Sequence, residues 1–244
     1  MMKRVLHQPA YVLHSRAYRE TSALLEVWTQ EHGRLTLLAR GVKKNKSALA
    51  GVLQPFTPLL VSFVGRTELM TLTGAEMHQP AYVLARDCLF AGFYLNELLM
   101  ALLERFDPHP PLFLAYEAAL LALSGRELQV SVLREFEQIL LAELGYGLFP
   151  TNLALLNQTF LPETSYLYFH EQGFVADTQQ RLGAPPGNAF KGSDLLAIAQ
   201  RDWSAAGALK AAKRLTRLAL QPLLGSREIH SRQLFLSPEE IAHA

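Results

Sequence analysis

The sequence predicts an α+β fold in which a small β-barrel precedes a mainly α-helical domain. Three observations predict it. Apolar residues in the first 79 positions alternate with a period of two, whereas those after residue 80 recur at helical spacing. Gly and Pro divide the first part into short segments, and a second β-rich stretch interrupts the helical part near residues 164–176.

The barrel is predicted from five short β-rich segments, at residues 11–15, 23–29, 34–39, 59–64 and 68–73. In the second of them, Leu25 and Val27 fall on one face and Trp28 on the other, which is the period of a strand. Loops containing glycine separate the segments. Five such strands in about 70 residues indicate a small barrel.

The pattern becomes helical after Pro80, with helices predicted at residues 81–105, 111–123, 127–144, 195–200 and 205–224. Gly145 follows the third helix and suits a left-handed cap. We therefore place two domains, at residues 1–79 and 80–244. An insert at about 150–190 holds a β-hairpin formed by residues 164–170 and 174–176.

Composition restricts both the compartment and the chemistry. Half of the 244 residues are hydrophobic, and the only cysteine is Cys88, so neither a disulfide framework nor a cysteine-based metal site is expected. The N-terminal residues lack the apolar run of a signal peptide, and the longest apolar stretch, at 89–103, falls short of the roughly 20 residues that cross a bilayer. We expect a cytoplasmic protein without a membrane segment.

Charge is unevenly distributed along the chain. Residues 1–80 hold 10 Lys and Arg against 5 Asp and Glu, residues 81–200 hold 6 against 13, and residues 201–244 hold 7 against 4. The total is only +1. Two basic ends around an acidic middle are able to present a positive surface to a polyanion, although an ordinary solvated surface is the alternative.

The densest basic cluster is the loop at residues 39–47. Four cations in this loop are candidate phosphate contacts, because neutralising phosphates releases counterions; they are Arg40, Lys43, Lys44 and Lys46. Four nearby arginines extend the predicted phosphate-binding surface: Arg16, Arg19, Arg34 and Arg66. Tyr18 and Trp28 are able to stack on bases if they face outward, and burial of Trp28 in the core is the alternative.

A second basic cluster lies on the last predicted helix. Four cations fall within an arc of about 100° and are also predicted to contact DNA; they are Lys210, Lys213, Arg214 and Arg217. The opposite side is formed by Ala and Leu without aromatic residues. This composition favours packing on the protein's own core over binding to a membrane surface.

No pattern indicates catalysis. We find no phosphate-binding loop, dinucleotide fingerprint, HExxH motif, nucleophile elbow or paired Cys/His ligands. The eight histidines are scattered, and the acidic residues of the middle segment suggest no metal cage. The sequence predicts neither an enzyme nor a bound cofactor or metal.

Several motifs in order resemble the RecO family of bacterial DNA repair and recombination mediators. They are YVLHSR at 11–16, ETS at 20–22, GR at 33–34, ARG at 39–41, LQPFTP at 53–58, YLNEL at 94–98, LGYG at 144–147, LKAAKR at 209–214 and SRQLF at 231–235. The resemblance covers nearly the whole chain. It implies that the barrel is an OB-fold.

The resemblance also implies function and partners. RecO proteins bind single- and double-stranded DNA, anneal complementary strands and, with RecR, help load RecA on strands coated by the single-stranded-DNA-binding protein SSB; RecF is an indirect partner. Many members carry a four-cysteine zinc module where this chain has no cysteine. In its place we expect a metal-free hairpin held by aromatic packing, formed by Tyr166, Tyr168, Phe169 and Phe174.

Docking on the acidic, Phe-ending tail of SSB is a further implication of the resemblance. It requires a cation beside an apolar pocket. Arg134 is the candidate anchor, with Arg126, Leu148 and Phe149 as neighbours. Two other functions remain open at this point, an RNA-binding OB-fold accessory factor and a protein scaffold that binds no nucleic acid.

Overall fold

The computed structural model describes residues 3–43, 47–177 and 187–235. Contacts between residues divide the chain into two compact units. The barrel unit contains the described residues up to Leu128 and those from Glu228 onward. The second unit, which we call the helix–sheet unit, runs over Gln129–Arg227.

The barrel predicted from the sequence is confirmed. Its strands are β1 (Lys3–Tyr18), β2 (Ser22–Thr29), β3 (Gly33–Ala39), β4 (Leu59–Gly65) and β5 (Leu69–Met77). They form a closed barrel in the order β1-β2-β3-β5-β4, in which only β3 and β5 are parallel. β1 is far longer than predicted because it bends at irregular registers and pairs first with β4 and then with β2.

A short helix, α1 (Ala48–Val52), lies in the stretch that was predicted to be loop. It is held by packing rather than by length, since Leu49 and Val52 rest against the barrel core. Side chains such as Leu25, Val27 and Phe63 fill that core. α1 thus closes the interior of the barrel between β3 and β4.

Two helices and a C-terminal 3-10 helix complete the barrel unit, at α2 (Asp87–Leu102), α3 (Pro110–Leu123) and His230–Phe235. The outer face of β2 is covered by α3, because the Trp28 ring packs at 5.2 Å from the ring of Phe113 and at 5.8 Å from that of Tyr116. Trp28 is fully buried. β2 is therefore buried on both faces, which explains its nearly continuous apolar sequence.

Buried hydrogen bonds tie the helices to β1. Asn96 on α2 donates to the carbonyl of Leu13 at 3.0 Å and accepts from the Tyr116 hydroxyl. Tyr11 donates to a carboxylate oxygen of Glu117 at 3.1 Å. Burial raises the pKa of Tyr116, and burial followed by the charge of Glu117 raises the pKa of Tyr11. Both hydroxyls therefore stay protonated and remain donors at physiological pH.

The predicted boundary after residue 79 marks where strands give way to helices. The contacts divide the chain elsewhere, since the first two long helices belong with the barrel. The physical reason is the outer face of β1 and β2, where Tyr11 and Trp28 need an apolar cover. The helical pattern of residues 80–128 gives no indication of which neighbour it covers.

The helix–sheet unit combines four helices with a small sheet. Its elements are α4 (Val130–Glu143), α5 (Leu153–Thr159), β6 (Ser165–Phe169), β7 (Gly173–Ala176), β8 (Ala189–Lys191), α6 (Gly192–Gln200) and α7 (Ala208–Leu224). The sheet order is β7-β6-β8, with both pairs antiparallel. The predicted hairpin is β6–β7, and β8 is an additional strand too short to show a period.

Aromatic packing holds this sheet, as the sequence predicts. The Phe174 ring lies 5.3 Å from Tyr168 and 5.1 Å from Phe160, and Tyr166 lies 5.2 Å from Phe160. Phe169 is half-buried. Phe160, which was not predicted, therefore joins the hairpin residues at the centre of the cluster.

Candidate nucleic-acid interface

A cavity of about 630 Å³ opens at the end of the barrel where β1 turns into β2 and β3 ends. We call it the barrel-end cavity. It is lined by Tyr18, Arg19, Thr21, Ser22, Leu38, Arg40 and Gly41. It therefore combines two guanidinium groups, two hydroxyls and a phenol ring in one concave surface.

The lining of the barrel-end cavity suits an anion. Arg19 and Arg40 are exposed, and no carboxylate is among the described residues that line the cavity. The Arg19 guanidinium lies 5.3 Å from the centre of the Tyr18 ring, within cation–π range. The exposed Lys43 is held close by because its N–H donates to the Thr21 carbonyl at 3.0 Å. Three cations thus belong to one surface with a fixed backbone.

The remaining predicted cations of the barrel are placed differently. Arg16 is exposed on β1 and Arg66 is exposed in the turn between β4 and β5. Neither lines the barrel-end cavity. Lys44 and Lys46 lie outside the described residues. The predicted loop cluster is therefore represented in the structure by Arg40 and Lys43.

Arg34 requires a correction, because the structure places it inside the barrel unit rather than on a free surface. Its side chain is 15% exposed and pairs with Glu26 at 3.2 Å. Its Nε and Nη2 atoms donate to the Leu103 carbonyl at 3.2 and 3.0 Å. The guanidinium thus joins β3 to the end of α2, and phosphate would have to displace these bonds.

The two aromatic residues proposed for base stacking differ in their exposure to solvent. Trp28 is fully buried against α3, so the core alternative is the correct one. Tyr18 is half-buried and lines the barrel-end cavity. Only Tyr18 keeps a ring within reach of a ligand, beside Arg19.

The basic helix predicted near the C-terminus is α7. Its four cations are exposed, while Ala211, Ala212, Leu215 and Ala219 on the other side are buried. We call the exposed side, formed by Lys210, Lys213, Arg214 and Arg217, the basic face of α7. A helix with buried and charged stripes at this spacing packs its apolar side on α4 and α6 and leaves the charges in solvent.

One member of the basic face is partly engaged within the unit. The Arg214 guanidinium lies 4.3 Å above the Phe190 ring and donates to the Ala189 carbonyl. It therefore attaches β8 to α7. In the described part of the chain, Lys210, Lys213 and Arg217 form no ion pair with an acidic side chain. These three are the freer cations of the face.

Arg134, the predicted anchor for an acidic tail, also requires a correction. Its side chain is only 8% exposed, and its Nη1 atom lies 2.9 Å from a carboxylate oxygen of Glu137, which is fully buried. The same nitrogen donates to the Thr216 hydroxyl at 3.2 Å, and that hydroxyl donates to Glu137. Arg134 thus neutralises an internal carboxylate between α4 and α7 and is not a free anchor.

The three residues proposed beside Arg134 are dispersed. Phe149 is half-buried and stacks on Phe174 at 5.8 Å with an angle of 18° between the rings. Leu148 is half-buried as well, and Arg126 is exposed between α3 and α4 in the barrel unit. Phe149 is therefore already used in the aromatic cluster that supports the hairpin.

Two searches of the described residues, which omit 44–46 and 178–186 among others, gave negative results. No group of three or more His, Cys, Asp or Glu side chains lies close enough together to hold a metal ion. No helix there combines the length and apolarity that crossing a membrane demands.

Comparison with known proteins identifies the family. Residues 2–81 match the family model "Recombination protein O N terminal", and residues 85–233 match "Recombination protein O C terminal". The chain belongs to the RecO family. It is 40% identical over 229 residues to "DNA repair protein RecO" of Aliivibrio fischeri (strain MJ11), covering 94% of each chain. It is 41% identical over 231 residues to the protein of that name from Glaesserella parasuis serovar 5, covering 94% of this chain and 95% of that one.

Membership gives this RecO chain a role in DNA repair and recombination, with an OB-fold as its N-terminal domain. The zinc module of other RecO proteins does not fit here. Its four thiolates cannot be supplied, since Cys88 is the only cysteine and is buried at the start of α2. The three-stranded sheet with its aromatic cluster stands in the corresponding region of this RecO chain.

Part of the barrel-end cavity was not predicted from local sequence. Arg19 and Arg40 were predicted, but Thr21 and Ser22, which line the cavity with them, carry no charge that would indicate a phosphate contact. The ETS motif at 20–22, one of the RecO motifs, was the available signal. Only the pairing of β1, β2 and β3 brings this turn beside Arg40.

Proposed function

We propose that this RecO-family chain binds single- and double-stranded DNA without sequence preference and anneals complementary strands. We further propose that it acts with RecR to help load RecA on SSB-coated strands. RecF is an indirect partner, and the cytoplasmic nucleoid is the expected location. The observation that supports the proposal most directly is the pair of uncompensated basic surfaces on a chain whose net charge is only +1.

The barrel-end cavity supports phosphate binding by the OB-fold. Arg19, Arg40 and Lys43 offer three exposed cations, and Thr21 and Ser22 offer hydroxyls in the same concave surface. Contacts of these types position a nucleic-acid backbone and carry no base sequence information. Tyr18 adds one ring on which a base of a single strand is able to stack. These features suit a binder of DNA in general.

The basic face of α7 supports a second DNA contact. Lys210, Lys213 and Arg217 project from a rigid helix whose other side is buried. A rigid array of cations lowers the repulsion between two phosphate backbones, which is the main barrier to bringing complementary strands together. Two such surfaces on one chain favour strand annealing over simple coating of a single strand.

Docking on the SSB tail remains part of the proposal, although the residues proposed for it are not equally available to a partner. Arg126 is exposed and available to a carboxylate. Arg134 is neutralised by Glu137, so it would serve an acidic tail only if that tail competed with a buried carboxylate. Leu148 and Phe149 are half-buried in the helix–sheet unit, and Phe149 stacks on Phe174 of the hairpin. We propose these two residues as apolar contacts of the tail.

Changing Lys210, Lys213 and Arg217 together to Ala is expected to weaken binding of a single-stranded oligonucleotide and to reduce its salt dependence. Each lost phosphate contact removes about 0.7 from the slope of log K against log salt, so the slope falls by about 2. Fluorescence anisotropy at several salt concentrations measures this slope. The same variant is expected to anneal SSB-coated complementary strands more slowly.

The matched control for the helix variant removes three exposed arginines that belong to no proposed surface, Arg4, Arg86 and Arg201. It changes the net charge equally, so a nonspecific charge effect would lower both slopes alike. An unchanged slope in the α7 variant would remove that face from the proposal. Preference for RNA over DNA of equal length would favour the RNA-binding alternative instead.

Changing Arg19, Arg40 and Lys43 together to Ala tests the barrel-end cavity in the same assay. We expect a second decrease of about 2 in the slope, because the same number of cations is removed. If one strand contacts both surfaces, the slope of the combined six-residue variant should fall by the sum of the two decreases, because the two sets have no residue in common. A combined variant no weaker than either triple would show that only one surface binds.

A further inference from the structure

The barrel leaves one strand edge uncovered. β1 pairs with β4 through Lys3–Ala10 and with β2 through Ala10–Tyr18. Beyond Ala10, the edge that faced β4 meets only Pro55, opposite Val12, and the Asn96 amide at the Leu13 carbonyl. Within the described part of the chain, residues 14–17 form no backbone hydrogen bond except with β2. Alternate N–H and C=O groups there face away from the sheet.

The side chains confirm that this stretch is an edge. Residues 14–17 are all exposed, on both faces of the strand. Their partners Leu24 and Leu25 on β2 are buried. We call residues 14–17 the open edge of β1. A strand that is uncovered on two faces and one edge is a template on which another extended chain is able to pair.

A cavity of about 640 Å³ begins at the open edge, with His14 and Ser15 in its wall. Leu13 of β1 and Pro55 are among its apolar lining residues. The others are Phe93 and Met100 of α2 and Leu234 of the 3-10 helix, and Phe93 and Leu234 are 38% and 46% exposed. Because side chains alternate between the two faces of a strand, every second side chain of a chain paired with β1 would be on the face of this cavity.

The titratable lining of this cavity consists of two histidines and one carboxylate that is already hydrogen-bonded. His14, His230 and Glu97 are its titratable lining residues. The Glu97 carboxylate already accepts from the backbone N–H groups of His230 and Ser231, both at 2.8 Å, and from the Ser231 hydroxyl at 2.6 Å. Arg16 is exposed two residues beyond His14 on the open edge. Arg16 therefore offers a cation beside the open edge to a carboxylate of a paired chain.

We propose that the open edge and this cavity form a docking site for an extended acidic peptide segment of a partner protein. The segment pairs with residues 14–17 as an added strand, inserts one apolar side chain between Phe93 and Met100, and directs a neighbouring carboxylate toward Arg16. A DNA strand would offer phosphate acceptors to the N–H groups of the edge but no backbone donors to its C=O groups, whereas a peptide strand offers both. The site is separate from the barrel-end cavity and does not depend on DNA binding.

The experiment uses the full chain and a phage-displayed library of random nonapeptides. We expect selected peptides to carry an aliphatic or aromatic residue next to Asp or Glu. One selected peptide is then synthesised in two forms. One form carries N-methyl groups on the amides of its odd-numbered residues, and the other carries them on the amides of its even-numbered residues. Because only one parity donates to β1, one form should bind at least 10-fold more weakly while the other binds nearly as the parent does.

Variants of the protein place the peptide at this site. Met100→Glu is expected to weaken binding of the parent peptide about 10- to 100-fold, because it puts a charge where an apolar side chain is buried. Leu121→Glu, on the exposed side of α3, is the matched control and should leave binding unchanged. Arg16→Glu should weaken binding a few-fold, and Arg4→Glu, at an exposed position outside every proposed surface, should not.

Four outcomes would overturn the proposal. The first is equal binding of the two N-methylated forms, and the second is equal binding of the peptide by the Met100→Glu and Leu121→Glu variants. The third is that an oligonucleotide displaces the peptide and that Met100→Glu also loses DNA binding, and the fourth is that the chain self-associates and Met100→Glu abolishes this. The third would make the site part of the DNA surface. The fourth would assign it to a second copy of the chain.

Discussion

Replacing Arg134 with Ala is expected to destabilise the helix–sheet unit by about 3–5 kcal/mol, because it leaves the buried carboxylate of Glu137 without its cation. The loss exceeds that of an ordinary surface ion pair, since Glu137 has no access to water that would solvate its charge. The Thr216 hydroxyl also donates to that carboxylate. Hydrogen exchange of the amides of α4 and α7 measures the change within this unit.

The double change of Arg134 and Glu137 to Met provides the control. Removing both charges leaves neither an unpaired ion nor a large cavity, so most of the lost stability should return. If Arg134→Ala kept the exchange protection of α4 and α7, the ion pair would not be important to the unit. The prediction also affects any study of partner binding, because a binding defect of Arg134→Ala would reflect unfolding as well as a lost contact.

Replacing Gly33 with Ala is expected to destabilise the barrel unit by about 3 kcal/mol. Gly33 has a φ of +66°, and an added Cβ would lie 2.3 Å from the carbonyl oxygen of Asp107. The left-handed conformation costs an L-residue about 1 kcal/mol or more, and displacing a packed backbone adds roughly 1–3 kcal/mol. Hydrogen exchange of β2 and β3 measures the loss.

Gly145→Ala is the matched control for Gly33→Ala. Gly145 has a φ of +86°, but an added Cβ would meet nothing within 4 Å. This control should therefore show only the conformational cost, about 1 kcal/mol. Equal losses at the two glycines would mean that the loop at Asp107 yields without cost and that its contact with Gly33 is unimportant for the barrel.

Much of the fold was predictable because it is recorded in local periodicity. The five barrel strands, the long helices and the β6–β7 hairpin all show their period over several residues. α1, α5, β8 and the 3-10 helix were not predicted, since elements of three to seven residues contain too few turns or alternations to show a period. The 3-10 helix is held instead by Glu97, which is more than 130 positions away.

The exposure of the predicted cations was foreseeable only in part. The basic face of α7 was predictable because a helix that buries Leu215 must expose Lys213 and Arg217 about half a turn away. Arg34 and Arg134 were expected to be free because the sequence shows neither the strand pairing that brings Glu26 to Arg34 nor the burial of Glu137, three positions after Arg134. The sequence shows where each arginine is, but it does not show which acidic side chain pairs with it in the folded chain.

The sequence by itself determined the α+β class, the order of barrel and helices, the clustering of cations at both ends and the absence of a four-cysteine zinc site. Those properties depend on residue type and short-range spacing. Only the tertiary structure decided that α2 and α3 belong with the barrel, that Trp28 is buried, which cations face solvent and where β1 has an open edge. These depend on contacts between residues far apart in the chain, which burial and charge pairing select collectively.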